Sequence, residues 1–444
     1  RYYTTLLTIA LPIITQNFIS SLLNMIDVTM LGQLGEVSIA AVGLANQVFF
    51  LLTLMLFGAN SGMGVFTAQL WGKRDVPSIH KVLGIGLLIG LSGSLVFTVL
   101  ALALPAPVLR IFTTDPAVIA SGVSYLRIVG WSYMVTAVSF AFSSVLRSTG
   151  QVRVPMVVSI GALSLKTLLN YGLILGHFGL PALGVQGAAI ATVIARVVEM
   201  TALLAIIYTR KLTAAARPGE LLGFSRTFLS TVLKTSLPVL INETLWSLGV
   251  TMYNVVYGRI GTDAIAAVNI AASIENLAFV IFMGLSDATG IMVGNRIGAK
   301  EEDMAFAYGR QTLMISTIGA ILIGVVILVG RDFILGFYNL TPESRLLARN
   351  ILMVMGFALW VKVSNMTIIV GILRAGGDTR FSLFLDTGTV WLVGVPLAVL
   401  GGLVLHLPVY IVYLMVIGDE VCKYIIGVWR FSTKRWINNV AEAV

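Results

Sequence analysis

The stretch LPIITQNFISSLLNMIDVTMLGQLG, residues 11–35, is a long apolar run with Pro12 near its start and one carboxylate, Asp27, inside it. A helix of about 20 apolar residues crosses the hydrocarbon core of a bilayer. An acid in such a run costs about 2.5–3.5 kcal/mol on insertion scales and by default marks a functional site. We therefore predict a functional role for Asp27; the alternative is a fixed ion pair or a hydrogen bond between helices.

The composition of the whole chain is that of a polytopic membrane protein. Of its 444 residues, 57% are hydrophobic and 11% are charged, and the mean hydropathy is +0.95, outside the usual balance of soluble domains. The apolar runs are too long for the strands of outer-membrane barrels, which have about ten residues each. They predict an all-α integral membrane protein with twelve transmembrane helices, at approximately 4–31, 38–71, 82–109, 117–146, 154–176, 183–209, 227–258, 264–294, 308–330, 346–373, 381–404 and 408–429.

The basic residues predict the orientation in the cell (inner) membrane. Most of them fall at the termini or in the even-numbered loops, among them Arg1, Lys73, Arg147, Arg374, Lys423 and Arg430. The positive-inside rule then makes both termini and the even-numbered loops cytoplasmic. The formal charge of +9 is explained by this orientation and by contact with anionic lipid, so it is no argument for nucleic acid.

Cysteine and histidine are too sparse for a metal site. Cys422 is the single cysteine, and His80, His177 and His406 lie in separate predicted loops. This pattern supports neither an internal disulfide nor a cluster of metal ligands. We expect no cofactor, and the single candidate metal is a sodium ion at Asp27.

The chain contains an internal repeat with a shift of about 226 residues. This shift lays Leu11-Pro12 on Leu237-Pro238 and Ile39-Ala40-Ala41-Val42 on Ile265-Ala266-Ala267-Val268. Each half holds six spans, so both halves start on the same side of the membrane. We predict an N-terminal six-helix lobe (1–209), a cytoplasmic linker (210–227) and a C-terminal six-helix lobe (228–444), and we expect a monomer because one chain already holds both lobes.

Four motifs, taken in order, resemble one known family. They are Asp27-Val28-Thr29-Met30-Leu31-Gly32, Leu146-Arg147-Ser148-Thr149-Gly150, Asn170-Tyr171-Gly172-Leu173-Ile174 and Gly184-Val185-Gln186-Gly187-Ala188-Ala189. On these spans the chain resembles the multidrug and toxic compound extrusion (MATE) family over its whole length. The resemblance implies a secondary exporter, driven by inward flow of protons or sodium ions, that expels mostly cationic amphiphilic compounds by alternating access.

The resemblance also implies residues of an ion-coupling site. Asp27 matches the family's acid on the first helix, and Asn170 and Thr192 match polar positions on the fifth and sixth helices. A second carboxylate of the archaeal members is replaced by Ile174. The glutamate on helix 7 of the NorM branch would fall at Trp246, so the branch called DinF-type is the closer match.

Further polar residues lie within the predicted spans of the second lobe. Glu243, Glu275, Asp287, Lys362 and Asp386 either form a structural network, because buried charges usually pair, or line a site for cationic substrate. In the first lobe, Lys166 and the Arg196/Glu199 pair favour a structural role.

Two coupling ions and two other functions remain open from the sequence. A proton is favoured because sodium needs several oxygen ligands and Ile174 removes one, although Asp27, Asn170, Thr192 and backbone carbonyls are candidates. The first other function is a lipid-linked oligosaccharide flippase of the same superfamily, which tends to carry excess cations in its cavity. The second, a membrane-embedded transferase, is disfavoured because the loops are short and no catalytic set is visible.

Overall fold

The computed structural model describes residues 2–338 and 340–443, and the predicted cytoplasmic position of Arg1 falls outside this range. The described residues contain helices and connecting turns and no β-strand. The helices are α1 (Tyr2–Gly32), α2 (Glu36–Lys73), α3 (Val76–Ala103), α4 (Pro105–Arg110), α5 (Pro116–Val129), α6 (Ser132–Ser148), α7 (Arg153–Leu175), α8 (Val185–Thr209), α9 (Pro218–Leu222), α10 (Arg226–Ile260), α11 (Thr262–Gly298), α12 (Glu302–Leu335), α13 (Pro342–Met366), α14 (Thr379–Thr389), α15 (Val395–Val399) and α16 (Val409–Ser432). Three stretches adopt the wider π-helical form. Thr367–Leu373 extends α13, Val390–Gly394 joins α14 to α15, and Leu400–Val404 follows α15.

The helices account for every span predicted from the sequence. Nine helical segments in the described ranges are long and apolar enough to cross a membrane, and the bent pair α5 and α6 makes a tenth. The remaining two predicted spans correspond to α10 and α16. The multi-pass, all-α prediction is therefore confirmed, with helix ends that run a few residues past several predicted boundaries.

The predicted single span 117–146 is in fact broken. Helices α5 and α6 meet at an angle of 51°, with Gly130 and Trp131 between them. A Cβ atom at Gly130 would lie 2.9 Å from the Cβ of Ala101 on α3, so the close approach of α3 requires glycine there. Glycine also lowers the helix propensity at this position.

The internal repeat appears in the positions of the helices. Helices α2 and α11, α3 and α12, α5 and α13, and α7 and α14 each begin about 226 residues apart. The turns repeat as well, because Gly150 after α6 and Gly377 before α14 have the same positive φ of 79°. Glycine reaches this left-handed region without the steric cost of a Cβ atom.

The chain forms two compact units. The N-terminal unit comprises Leu11–Thr67 and Arg74–Ser236, and the C-terminal unit comprises Arg1–Ala10, Ala68–Lys73 and Leu237–Val444. These bounds differ from the predicted lobes, since residues 210–227 belong to the N-terminal unit. Both α1 and α10 pass from one unit to the other one residue before an internal proline, Pro12 or Pro238, where the helix lacks a backbone N–H donor.

Each unit has its own apolar core. In the N-terminal unit, Leu52, Leu126 and Tyr133 are fully buried and belong to one cluster. In the C-terminal unit, Ile351 and Leu359 of α13 are fully buried and belong to another. Within a membrane the van der Waals packing of such side chains, and not their removal from water, favours helix association, so each core holds its helices in place around the polar groups described below.

The segment after α16 closes the C-terminal unit. Trp436 is fully buried, its indole N–H donates to the Phe431 carbonyl at 3.0 Å, and its ring stacks on that of Phe431. Gly376 makes room for it, because a Cβ atom there would lie 2.3 Å from Cε3 of Trp436. The Gln69 side chain of α2 donates to the Ala375 carbonyl at 2.9 Å and accepts from the Val440 N–H at 2.7 Å.

We expect the Trp436→Ala variant to be destabilised by about 3–5 kcal/mol, the usual cost of truncating a buried aromatic side chain. Thermal unfolding of the purified protein in detergent measures this as a lower Tm. Trp131→Ala, which truncates an exposed indole, is the control and should change Tm little. An equal Tm for Trp436→Ala and wild type would contradict the packing role of the segment.

Candidate functional site

Asp27 of α1 lies in the N-terminal unit among polar groups of a single neighbouring helix, α7. Asp27 is 6% exposed. The Oδ1 atom accepts hydrogen bonds from Asn170 Nδ2 at 2.8 Å and from Thr167 Oγ1 at 3.1 Å. The Oδ2 atom lies 3.0 Å from Nζ of Lys166. A buried carboxylate held by a cation and two neutral donors is compensated in charge.

The three partners of Asp27 lie together because of helix geometry. Lys166, Thr167 and Asn170 occupy positions i, i+1 and i+4 of α7, so their side chains share one face of the helix. The structure thus brings Asp27 and Asn170 together. Thr167 was not predicted, and Lys166 was given a structural role without being paired with Asp27. The spacing of one helical turn between Lys166 and Asn170 was a signal that both side chains face the same neighbour.

Thr192 of α8 is placed differently from the expectation. Its hydroxyl donates to the Ala188 carbonyl of its own helix at 2.9 Å and also interacts with the Tyr125 hydroxyl. Tyr125 is in turn within 3.4 Å of Asn46 Oδ1. The hydrogen bonds to Asp27 in the described part of the chain come from α7, so a role for Thr192 in ion coupling stays a prediction.

Two other positions in this unit have packing or pairing roles. Ile174, where the archaeal members carry a second carboxylate, is buried in the apolar core. Arg196 and Glu199 of α8 form an ion pair at 2.7 Å, and the Arg196 guanidinium lies over the Phe49 ring. The pairing agrees with the structural role expected for these two residues.

In the C-terminal unit, Lys362 of α13 pairs with Glu275 of α11. Nζ of Lys362 lies 2.6 Å from Glu275 Oε1. The Tyr413 hydroxyl of α16 joins them, at 3.2 Å from Nζ and 3.3 Å from Glu275 Oε2. Such a contact is expected of a structural network, one of the two interpretations of Lys362 from the sequence, and the choice between them stays untested.

Glu243 of α10 is likewise paired, with Arg374 at 2.7 Å. Arg374, predicted at or near a cytoplasmic loop, is only 3% exposed, and its cytoplasmic side stays a prediction. It follows the π-helical stretch that extends α13, and its N–H donates to the Ile369 carbonyl. Its repeat mate Arg147 donates to Gln16 Oε1 at 2.9 Å, so both arginines contact the first helix of their repeat.

A third polar group surrounds Lys423 of α16, which the sequence placed near the cytoplasmic C-terminus. Its Nζ lies 3.0 Å from Asp386 Oδ1, 3.3 Å from Glu420 Oε1 and 4.0 Å from Asp419 Oδ2. Lys423 is only 2% exposed, because these three carboxylates compensate its charge inside the unit. Asp419, Glu420 and Lys423 were missed, although their spacing of i, i+1 and i+4 on one helix is the signal for such a cluster.

Asp386 and Asp287 are the remaining acids that the sequence singled out in the second lobe. Asp386 Oδ2 accepts from Asn242 Nδ2 at 3.0 Å, and Asn242 Oδ1 accepts from Thr387 at 2.9 Å. Asp287 is half-buried on α11. Glu243, Glu275 and Asp386 each have a basic partner, and a role for any of the second-lobe acids in substrate binding stays a prediction.

The MatE family model matches this chain twice, over residues 12–172 and 238–400. Among curated proteins, the transporter YisQ of Bacillus subtilis is 25% identical over 98% of this chain and 95% of its own length. A probable multidrug resistance protein NorM of Thermotoga maritima is 24% identical over 97% of this chain and 92% of its own. The two matched ranges agree with the internal repeat.

Solved structures share the fold. A multidrug resistance MATE family transporter of the MOP superfamily in an outward-facing conformation aligns with a TM-score of 0.86 at 19% identity, over 97% of this chain and 96% of that one. A mutant of the Vibrio cholerae MATE transporter VcmN aligns with a TM-score of 0.87 at 18% identity, over 99% and 98% of the two chains. Two matches of the family model along one chain of helical spans thus identify this protein as a member of the MatE family, a multi-pass membrane transporter and not an enzyme, built from twelve transmembrane helices in two repeated lobes.

Proposed function

We propose that this protein is a proton-coupled exporter of cationic amphiphilic compounds, in which Asp27 binds the coupling proton. The observation that carries the proposal is the buried pair of Asp27 and Lys166 in a transporter of this family. Relatives named multidrug resistance proteins, such as NorM of Burkholderia vietnamiensis at 27% identity, support the export of drugs. The fold supports alternating access of the bound compound to the two sides.

The contacts of Asp27 favour a proton over sodium. A sodium ion would need several oxygen ligands around the carboxylate, whereas Asp27 is surrounded by the Lys166 ammonium and by donors from Thr167 and Asn170. The ammonium occupies one carboxylate oxygen and repels a second cation. The ammonium also opposes protonation of Asp27, but a proton, unlike sodium, needs no ligands beyond the carboxylate itself.

Proton binding at Asp27 would be coupled to the cargo through Lys166. With Asp27 charged, the pair with Lys166 is neutral and tolerates a cationic compound nearby. Protonation of Asp27 leaves the Lys166 ammonium uncompensated, which repels a cation held within reach of it. Protons and cationic cargo then bind alternately, as antiport requires.

The same charges weigh against a lipid-linked oligosaccharide flippase. A pyrophosphate cargo calls for uncompensated basic groups, but Lys166, Arg196 and Lys362 each have an acidic partner within 3.0 Å. The membrane-embedded transferase considered from the sequence is excluded by membership of a transporter family. We further propose a monomer in the cell membrane with both termini cytoplasmic; the basic residues at helix ends, such as Lys73 and Arg430, support this orientation.

Efflux from proteoliposomes tests the proposal. Purified protein is reconstituted with ethidium as a cationic amphiphilic probe, and a proton gradient or a sodium gradient is imposed separately. We expect ethidium movement with the proton gradient and none above empty liposomes with sodium. Movement with sodium alone would reassign the coupling ion, and translocation of a lipid pyrophosphate without ethidium movement would favour the flippase.

A further inference from the structure

One buried lysine of the C-terminal unit faces three carboxylates. Lys423 lies within 4.0 Å of Asp386, Asp419 and Glu420. The next cation, Arg374, is already paired with Glu243 at 2.7 Å. Among these described residues four acids therefore share two basic groups, and an excess of buried negative charge is costly in a membrane-spanning unit.

The surrounding helices supply donors but no further free cation in the described residues. From α10, the Tyr253 hydroxyl donates to Asp419 Oδ2 at 3.0 Å. From α13, Asn365 Nδ2 donates to Glu420 Oε2 at 2.6 Å, and Lys362 is paired with Glu275. The remaining charge must be removed in another way, and protonation of a carboxylate is the simplest.

Asp419 is the carboxylate of this cluster with the fewest donors. Asp386 contacts the Lys423 ammonium and accepts a hydrogen bond from Asn242. Glu420 accepts hydrogen bonds from Asn365 and Lys423. Asp419 is 2% exposed, its Oδ1 atom has no hydrogen-bond partner in the described chain, and Lys423 reaches its Oδ2 only at 4.0 Å.

The position of Asp419 is shaped by a glycine. A Cβ atom on Gly394 would lie 1.9 Å from Tyr253 Oη and 3.2 Å from Asp419 Oδ2. Glycine at this point leaves room for the hydrogen bond between Tyr253 and Asp419. A second buried acceptor without a partner, Asn365 Oδ1, belongs to the amide that binds Glu420, so the cluster lacks donors at two oxygens.

We propose that Asp419 is a second proton-binding site of this transporter, with the proton on Oδ1 and the Tyr253 hydroxyl bonded to the carbonyl oxygen Oδ2. Protonation removes one buried negative charge and leaves the contact between Lys423 and Asp386 intact. A metal ion is disfavoured because the Lys423 ammonium already lies among the three carboxylates. The assignment concerns proton binding alone, so it does not depend on export or on the role of Asp27.

Infrared difference spectroscopy of the purified, detergent-solubilised protein tests this assignment without a gradient or a drug. A pH titration reports protonated carboxyl groups through their C=O stretch, and labelling of aspartate with carbon-13 separates aspartate from glutamate. We expect a band of a buried acid that shifts with labelled aspartate, disappears in Asp419→Asn and persists in the control Asp303→Asn, whose carboxylate is exposed.

Tyr253→Phe provides a second variant that retains the carboxyl group. Loss of the hydroxyl donor to Oδ2 should move the band to higher wavenumber without removing it, since a carbonyl that loses a hydrogen bond vibrates faster. Absence of any aspartate band in wild type, or a band unchanged in both Asp419→Asn and Tyr253→Phe, overturns the proposal. Loss of the band on addition of sodium at constant pH also overturns it, in favour of a cation site.

Discussion

Replacing Asp27 with asparagine will abolish ion-driven efflux in proteoliposomes, with a fall in the initial rate to the level of empty liposomes. Asparagine cannot take up a proton, so the gradient can no longer favour one state of the transporter over the other. The variant also leaves the Lys166 ammonium, 3.0 Å from Asp27 Oδ2 in wild type, without its anionic partner. We therefore expect weaker binding of ethidium as well as lost coupling.

A double variant separates these two effects. Asp27→Asn with Lys166→Met removes both charges, so ethidium binding measured by fluorescence should return toward wild type while gradient-driven efflux stays absent. If the single variant bound and exported ethidium as wild type does, Asp27 would be a structural acid and the proposed mechanism would be wrong.

The matched control makes the same chemical change elsewhere in the N-terminal unit. Asp115 is exposed and caps α5, where its side chain accepts from the Ala117 N–H at 2.9 Å. Asparagine caps helices about as well as aspartate. Asp115→Asn should therefore leave efflux, ethidium binding and Tm unchanged, so that a loss in Asp27→Asn is specific to its site.

Replacing Lys423 with methionine will destabilise the C-terminal unit by about 3–5 kcal/mol, the usual cost of leaving a buried partner without its counter-charge. The substitution removes the cation next to Asp386, Asp419 and Glu420 while keeping most of the side-chain volume. Thermal unfolding in detergent measures the loss as a lower Tm. Asp386 carries the shortest contact to Lys423, so adding Asp386→Asn should recover more of the Tm than adding Asp419→Asn, which is already neutral in our proposal.

Lys434→Met is the control for this substitution. Lys434 pairs with Asp303 at 3.0 Å, but both side chains are largely exposed, and such surface pairs contribute about 0–1 kcal/mol. Equal effects of Lys423→Met and Lys434→Met would mean that the charges around Lys423 are solvated. A rescue by Asp419→Asn that equals the rescue by Asp386→Asn would instead argue for a charged Asp419.

The sequence predicted the membrane fold because the necessary signals are local. An apolar run long enough to cross the bilayer must form a helix, since its backbone groups find no other partners in lipid, and the repeat is visible as matching residues. The break at Gly130 was missed because it depends on the approach of α3 and not on polarity. The division into compact units near Pro12 and Pro238 also required the structure, because it depends on which helices pack together.

The candidate site was predicted in part for the same reason. A carboxylate such as Asp27 is conspicuous in an apolar stretch. Its partner Asn170 was suggested as a site residue by the resemblance to the MATE family. The pairs of Lys166 with Asp27, of Arg374 with Glu243 and of Lys423 with Asp386 join residues far apart in the chain. A local sequence pattern does not show them.

Composition, spans, the repeat and the unusual acid at Asp27 were therefore determined by the sequence alone, since hydrophobicity acts residue by residue along the chain. The pairing of each buried charge was decided by tertiary structure. A lysine such as Lys423 is a surface anchor or the centre of a buried cluster according to which carboxylates packing brings within about 4 Å, because electrostatic energy depends on distance in space and on burial.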